Sequence, residues 1–150
     1  MKQMLFKLWI YLLLPIAINA QTLKVTPKIS EAFIDSLQLS VYLWRDFQPI
    51  TPPKGKPLRV KIAIRSTNPQ ILDSLSIEKM ILIHQSDSVV VTGSKIQSII
   101  ERLDGELRWV WRKGPYWPPK TLVDVFVYVR IPSGQLIRLE ARKQLIHATF

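Results

Sequence analysis

Apolar residues recur at every second position along most of this chain, and this period restricts its fold more than any other feature. The pattern is clearest at 37–44, 60–65 and 123–131, where Val, Ile and Leu alternate with polar or aromatic residues. Further apolar runs, less regular in their alternation, follow at 77–84, 89–91, 107–111 and 136–141. Side chains of a strand alternate between its two faces, so the sequence predicts short strands with one buried face.

Linkers rich in Pro and small polar residues separate these runs, at 51–57, 66–69 and 114–119. Such residues are typical of strand ends. One segment differs, because Ile96, Ile99, Ile100 and Leu103 follow helical spacing and Gly105 stands at a capping position. It predicts one short helix over 95–103. The whole pattern predicts an all-β fold, a single Ig-like antiparallel β-sandwich of about seven strands.

The last two runs predict a hairpin in register. If 132–134 is a three-residue loop with Gly134 in the left-handed conformation, each pair of facing residues is fixed. The predicted pairs are Val129–Ile137, Val127–Leu139 and Val125–Ala141 on the inner face, and Tyr128–Arg138, Phe126–Glu140 and Asp124–Arg142 on the outer face. A slip of one residue would expose the apolar set, so this register is strongly favoured. We also expect Arg138 to lie over the Tyr128 ring.

Residues 1–20 have the features of a cleavable signal peptide. Lys2 and Lys7 precede an apolar run of eleven residues, 8–18, and Ala20 stands at the expected cleavage site. The alternative is a membrane anchor, but as a helix that run would reach only about 16 Å, whereas the hydrocarbon core of a membrane is about 30 Å thick. We expect residues 21–150 to form the mature domain. The chain has no Cys, hence no disulfide framework, which favours the bacterial periplasm or exterior.

Charge indicates the kind of partner. The chain has 21 Lys and Arg against 11 Asp and Glu, a net charge of +10, and loses two lysines if the signal is removed. So basic a domain favours anionic neighbours, although charge of this kind also serves solubility alone. Outside the cytoplasm, we expect an anionic envelope component or another exported protein as partner, and no specific nucleic acid.

Residue patterns for catalysis or metal binding are missing. The two histidines, His84 and His147, have no second His or carboxylate at ligand spacing. No G-x-S-x-G motif and no glycine-rich phosphate loop occurs. We therefore expect no metal, no cofactor and no catalytic residue, and we interpret the protein as a non-enzyme.

Binding is the remaining class, with two candidate regions. The first is a basic, aromatic surface of Arg108, Arg112, Tyr128 and Arg138, which requires the strands at 106–112 and 121–131 to be neighbours. The alternative is an ordinary solvated surface. The second is the loop with Tyr116 and Trp117, because aromatic side chains in a Pro-stiffened loop are effective interface anchors. In the alternative, Trp117 closes the open end of the fold. At least one of Trp109 and Trp111 is expected in the core.

The C-terminal third resembles a known group. Gly114–Pro118, Val123–Val127, Gly134 and Arg138–Ala141 together are similar to the C-terminal part of small exported bacterial Ig-like proteins, over about 30 residues. The resemblance implies a fold and a compartment, and no activity or site. We expect an exported, non-catalytic interaction module. The alternative is an accessory envelope subunit that binds by strand addition, and a third reading is a hydrolase or hydrolase inhibitor.

Overall fold

The computed structural model describes residues 36–93, 100–103 and 105–150. The expected signal peptide at 1–20 lies outside these residues. The elements in chain order are β1 (Leu37–Asp46), β2 (Arg59–Ser66), α1 (Pro69–Asp73), β3 (Ser76–His84), β4 (Asp87–Thr92), β5 (Ile100–Leu103), β6 (Glu106–Trp111), β7 (Leu122–Arg130) and β8 (Leu136–Thr149). The all-β fold class is confirmed.

The arrangement of the strands differs from the predicted sandwich. The eight strands form one sheet in the order β4-β3-β7-β8-β1-β2-β6-β5, curled into a half-barrel. The long strand β8 explains this difference, because its first part pairs antiparallel with β7 and its last part pairs parallel with β1. One strand thereby belongs to both halves of the sheet.

A bulge in β8 comes shortly before the change of partner. Arg142 and Lys143 together lie opposite the single residue Asp124, and Lys143 has a φ of 53°. The Asp124 carboxylate accepts a hydrogen bond of 2.8 Å from the backbone N–H of Lys143. Because bulges bend and twist a strand, this one redirects β8. Gln144 and Leu145 still pair with β7 beyond the bulge, and pairing with β1 begins at Ile146.

The predicted hairpin register is confirmed for five of the six pairs, from Val129–Ile137 to Val125–Ala141. Gly134 has a φ of 85°, as the three-residue loop requires. The sixth pair, Asp124–Arg142, is wrong because the bulge intervenes there. The cation–π prediction is also wrong: Arg138 lies over Phe126, 5.5 Å from the ring centroid, and Lys79 lies 4.5 Å from the ring centroid of Tyr128.

A second bulge adjusts β3. Ile77 faces Val129 and Lys79 faces Tyr128, so Glu78 is the extra residue. The extra residue shifts the alternation by one, and both Ile77 and Met80 are buried as a result. Uniform alternation had placed them on opposite faces.

Both halves of the sheet contribute to one apolar core. Its largest fully buried side chains are Trp109, Leu43, Leu58, Ile62, Ile64, Met80, Leu82, Leu107 and Ile146. Trp109 confirms that one tryptophan of β6 is a core residue, and Trp111 is partly buried against the same cluster.

The helical regions differ from the prediction. Residues 100–103 form β5, which pairs with β6, and so the helix predicted over 95–103 is wrong for this part; 95–99 lie outside the described residues. A five-residue helix occurs instead at α1. Asn68 caps it, because its side chain accepts a hydrogen bond of 3.1 Å from the backbone N–H of Gln70. Asn68-Pro69 is a typical helix start that had been interpreted as a linker.

Candidate functional site

The outer face of β1, β2 and β6 collects basic and aromatic side chains. Register determines which residues meet there: Tyr42 faces Lys61, Trp44 faces Arg59, and Ala63 lies between Ser40 and Arg108. We call this surface the basic face; its residues are Ser40, Tyr42, Trp44, Arg59, Lys61, Ala63, Arg65, Glu106 and Arg108. Four cationic side chains and one carboxylate thus share one half of the sheet.

A concavity lies in the middle of the basic face, because Ala63 has the smallest side chain of its neighbourhood. We call it the Ala63 pit; its volume is about 330 Å³. Its lining is Ser40, Val41, Tyr42, Lys61, Ala63, Arg65, Glu106 and Arg108. Larger side chains around a small one form the rim, and the pit is open to solvent on the outer side of the sheet.

Glu106 places one negative charge among the cations of the pit. Its largely buried carboxylate lies 2.8 Å from the Arg108 guanidinium and 3.6 Å from that of Arg65. The hydrogen bond from Arg108 is the main reason that the pKa of Glu106 lies below its ordinary value, with Arg65 adding to the effect. The carboxylate is therefore charged at neutral pH, it orients both arginines, and Lys61 adds a further positive charge.

An aromatic row borders the pit. Tyr42 stacks on His147 with ring centroids 4.9 Å apart, and it packs against Trp44 in a tilted arrangement at 5.4 Å. The guanidinium of Arg59 lies 5.9 Å from the centre of the Trp44 ring. Tyr42 remains 43% exposed although both neighbours support it. The row therefore presents a fixed aromatic ring to solvent beside the positive charge.

The predicted basic surface is only partly brought together. Arg108 is in the basic face, and exposed Arg112 follows β6 directly. Tyr128 and Arg138 lie on the other half of the sheet, because β7 pairs with β3 and β8. The assumption that β6 and β7 are neighbours is wrong: β6 pairs with β2 and β5.

The loop with Tyr116 and Trp117 is fixed to the fold. Trp117 is 7% exposed, donates a hydrogen bond of 2.8 Å from its ring N–H to the Asp87 carboxylate, and packs against His84 at 5.0 Å between ring centroids. This geometry favours the interpretation of Trp117 as a closing residue. Tyr116 is 47% exposed, and Lys54 lies 4.4 Å from its ring centroid.

A buried guanidinium holds this loop. Arg45 is 5% exposed and donates to the carbonyls of Lys56 at 3.0 Å, Trp117 at 3.3 Å and Tyr116 at 3.4 Å, and also to that of Lys54. Burial is the main influence on this group and lowers the pKa of Arg45 from its ordinary value. The four carbonyls come from two linkers, so one side chain joins them to the end of β1.

Sequence reasoning missed most of the basic face. Tyr42 and Trp44 occupy the outward phase of β1, where polar residues are usual, and two aromatic residues there are a readable signal. Arg59 and Lys61 stand close to Lys54 and Lys56 in the sequence, so the sequence alone suggests a basic cluster near the Pro-rich linker. The contributions of Arg65, Glu106 and His147 depend on strand pairing and had no local signal.

Comparisons with known proteins add no assignment. No protein-family model matches the sequence, and a comparison with curated proteins gives no match. Within 36–93, 100–103 and 105–150, no helix has the length and apolar character needed to cross a membrane. The same residues contain no group of three or more His, Cys, Asp or Glu side chains placed to hold a metal ion.

Proposed function

We propose that this protein is an exported, non-catalytic binding protein that uses the basic face to hold an anionic partner at the bacterial periplasm or cell surface. The observation that carries the proposal is the convergence of Lys61, Arg65 and Arg108 around one concavity, with Arg59 on the same face beside Trp44. The signal-like residues 1–20 and the resemblance to small exported Ig-like proteins support the compartment.

The basic face suits binding because two of its four cations are paired with one carboxylate. Glu106 fixes two arginines by direct ion pairs, so these side chains lose less conformational freedom on binding than free surface arginines. The stacked rings beside them add apolar contact area. Positive charge of this kind raises the rate of encounter with anionic partners, and this contribution weakens with salt.

A charge-matched comparison tests the proposal. Arg59→Gln, Lys61→Gln and Arg65→Gln are combined in one variant, which leaves the Arg108–Glu106 pair intact. The control variant carries Lys79→Gln, Arg138→Gln and Arg142→Gln, three cations of the other half of the sheet. Both lose the same net charge. The probes are immobilised heparin and immobilised lipopolysaccharide, and the readout is dissociation constants at two salt concentrations.

We expect the basic-face variant to bind about tenfold more weakly, equivalent to about 1.4 kcal/mol, while the control stays close to the unmodified protein. Circular dichroism and thermal unfolding establish that both variants fold. Equal weakening in the two variants would show that only net charge matters, and would overturn the proposal.

Strand addition at β4 is the second candidate function. Within the described part of the chain, β4 pairs on one side only, with β3, and is an edge of the sheet. Its Val90 is 54% exposed, and the sequence Asp87–Thr92 contains no Lys or Pro to discourage pairing. Val90→Lys would weaken the binding of a partner that adds a strand to β4, whereas high salt would not. Capture of a partner that withstands high salt and is lost in Val90→Lys would favour this function.

A further inference from the structure

The Ala63 pit and the aromatic row together indicate what kind of anion fits. We propose that the ligand is an acidic saccharide, whose carboxylate or phosphate enters the pit while a sugar ring lies on Tyr42. This inference rests on the proposed function, since it names the ligand class of the basic face.

The size of the pit fits one charged group and part of one ring. A volume of about 330 Å³ lies at the lower end of the range of small-molecule sites. A flat surface of Lys and Arg would bind any polyanion by charge alone. A concavity with a small floor residue limits what can approach Arg65 and Arg108, so it selects for shape as well as charge.

The polar groups of the pit match a saccharide better than a bare anion. Lys61, Arg65 and Arg108 supply positive charge and donors for the acidic group. Ser40 is exposed at the rim, with its hydroxyl 3.5 Å from the Ala63 carbonyl. The Glu106 carboxylate can only accept hydrogen bonds, and the hydroxyl groups of a sugar can donate them to it.

Tyr42 supplies the apolar half of the recognition. Sugar-binding and other small-molecule sites combine aromatic contact area with a few directed polar groups. Support from His147 and Trp44 on its own face of the sheet keeps the Tyr42 ring in place, which lowers the entropy cost of stacking. Ring and pit are contiguous, because Tyr42 itself lines the pit.

A single-stranded nucleic acid is the competing class, since it also combines phosphates with stacking. Glu106 argues against it. A deoxyribose–phosphate backbone offers this carboxylate no hydroxyl donor, whereas the ring of an acidic saccharide places hydroxyl donors beside its charged group. The expected location outside the cytoplasm points the same way.

The experiment measures binding of four probes by isothermal titration calorimetry: trigalacturonate, glucose 6-phosphate, uncharged maltotriose and a dT oligonucleotide. We expect at least one of the two acidic sugars to bind about tenfold more tightly than maltotriose, and the two acidic probes distinguish a carboxylate from a phosphate source. Failure of both acidic sugars, or tighter binding of the oligonucleotide, would overturn the inference.

A pit-filling variant, a variant of the aromatic row and a control separate this inference from the proposed function. Ala63→Leu fills the pit without changing charge and should weaken acidic-sugar binding about tenfold. If the Ala63→Leu protein does not fold, Ser40→Leu at the exposed rim is used in its place. Tyr42→Ala should weaken binding by a similar factor, whereas Tyr128→Ala, on the other half of the sheet, should not. Unchanged sugar binding in the pit-filling variant, with heparin binding still lost in the basic-face variant, would overturn the ligand assignment and leave the proposed function standing.

Discussion

Replacing Arg45 with methionine removes the guanidinium that joins the end of β1 to two linkers. Methionine fills a similar length of the same space but donates no hydrogen bond. Four backbone carbonyls, those of Lys54, Lys56, Tyr116 and Trp117, lose a donor at once. The variant therefore tests whether this one side chain holds the 114–119 loop.

The magnitude follows from the burial of the acceptors. A hydrogen bond from a charged donor contributes about 1.5–3 kcal/mol. Only the bond to the Trp117 carbonyl is fully buried, and the three partly buried carbonyls regain water when the donor is absent. The free energy of desolvating the guanidinium is also recovered. We expect a net loss of about 2–3 kcal/mol in the free energy of unfolding, and a melting temperature about 10 °C lower.

Urea unfolding followed by circular dichroism measures this loss, and hydrogen exchange locates it. Amides of the 114–119 loop should exchange faster in Arg45→Met even where the strands remain protected. Arg45→Lys keeps the charge but cannot reach four carbonyls, so its loss should be intermediate. Arg112→Met is the control at an exposed arginine and should change stability by less than about 0.5 kcal/mol. A loss below about 1 kcal/mol in Arg45→Met, with unchanged loop exchange, would refute the reasoning.

Three further outcomes are expected. Trp117→Ala should lower the free energy of unfolding by about 3 kcal/mol, because it empties a buried aromatic site and removes the hydrogen bond to Asp87, whereas an unaltered urea midpoint would mean that Trp117 does not close the fold. Gly114→Ala should lower the free energy of unfolding more than Gly134→Ala, because a Cβ at Gly114 would lie 2.6 Å from the Leu58 carbonyl oxygen, whereas one at Gly134 meets nothing within 4 Å. Gly134→Ala should cost about 1 kcal/mol because of its φ of 85°. The reverse order in urea unfolding would contradict this. The free energy of unfolding should fall as pH drops below about 4, because the pKa of Glu106 is lower in the folded than in the unfolded chain. The stabilisation by Glu106 is present above the unfolded pKa and is lost as pH falls through the folded pKa. Glu106→Gln should flatten this decline in pH-dependent unfolding, and an identical slope would exclude Glu106 as its source.

Sequence reasoning succeeded where structure depends on near neighbours along the chain. The β7–β8 hairpin is an example: a glycine at the turn and two alternating runs determine five pairs. It failed at the bulges of Glu78 and Lys143, because one extra residue shifts the alternation and nothing in the local pattern marks it. The segment 100–103 is similar, since its apolar spacing fits a helix and pairing with β6 makes it a strand.

The candidate site shows the same division. Alternation correctly directed Arg108 to the outer face of its strand, so its orientation was predictable. The neighbours of Arg108 were not predictable. The sequence of a strand determines which face a residue lies on, whereas the topology of the whole sheet determines which strand lies beside it. Arg108 was grouped with Tyr128 on the expectation that a short connection joins neighbouring strands. In the structure β2 lies beside β6, and Ala63 rather than an aromatic residue is its neighbour.

The parallel pairing of β1 with the last part of β8 has a consequence for the order of events during synthesis. Leu43–Asp46 can pair with Ile146–Thr149 only after β2 to β7 and most of β8 have left the ribosome. Until then β1 has one unpaired edge, and the core lacks buried Ile146. Contacts this distant in sequence form slowly, since a long loop must close first. β1, the first strand of the described residues, therefore waits for β8, the last of them, before its second edge is covered.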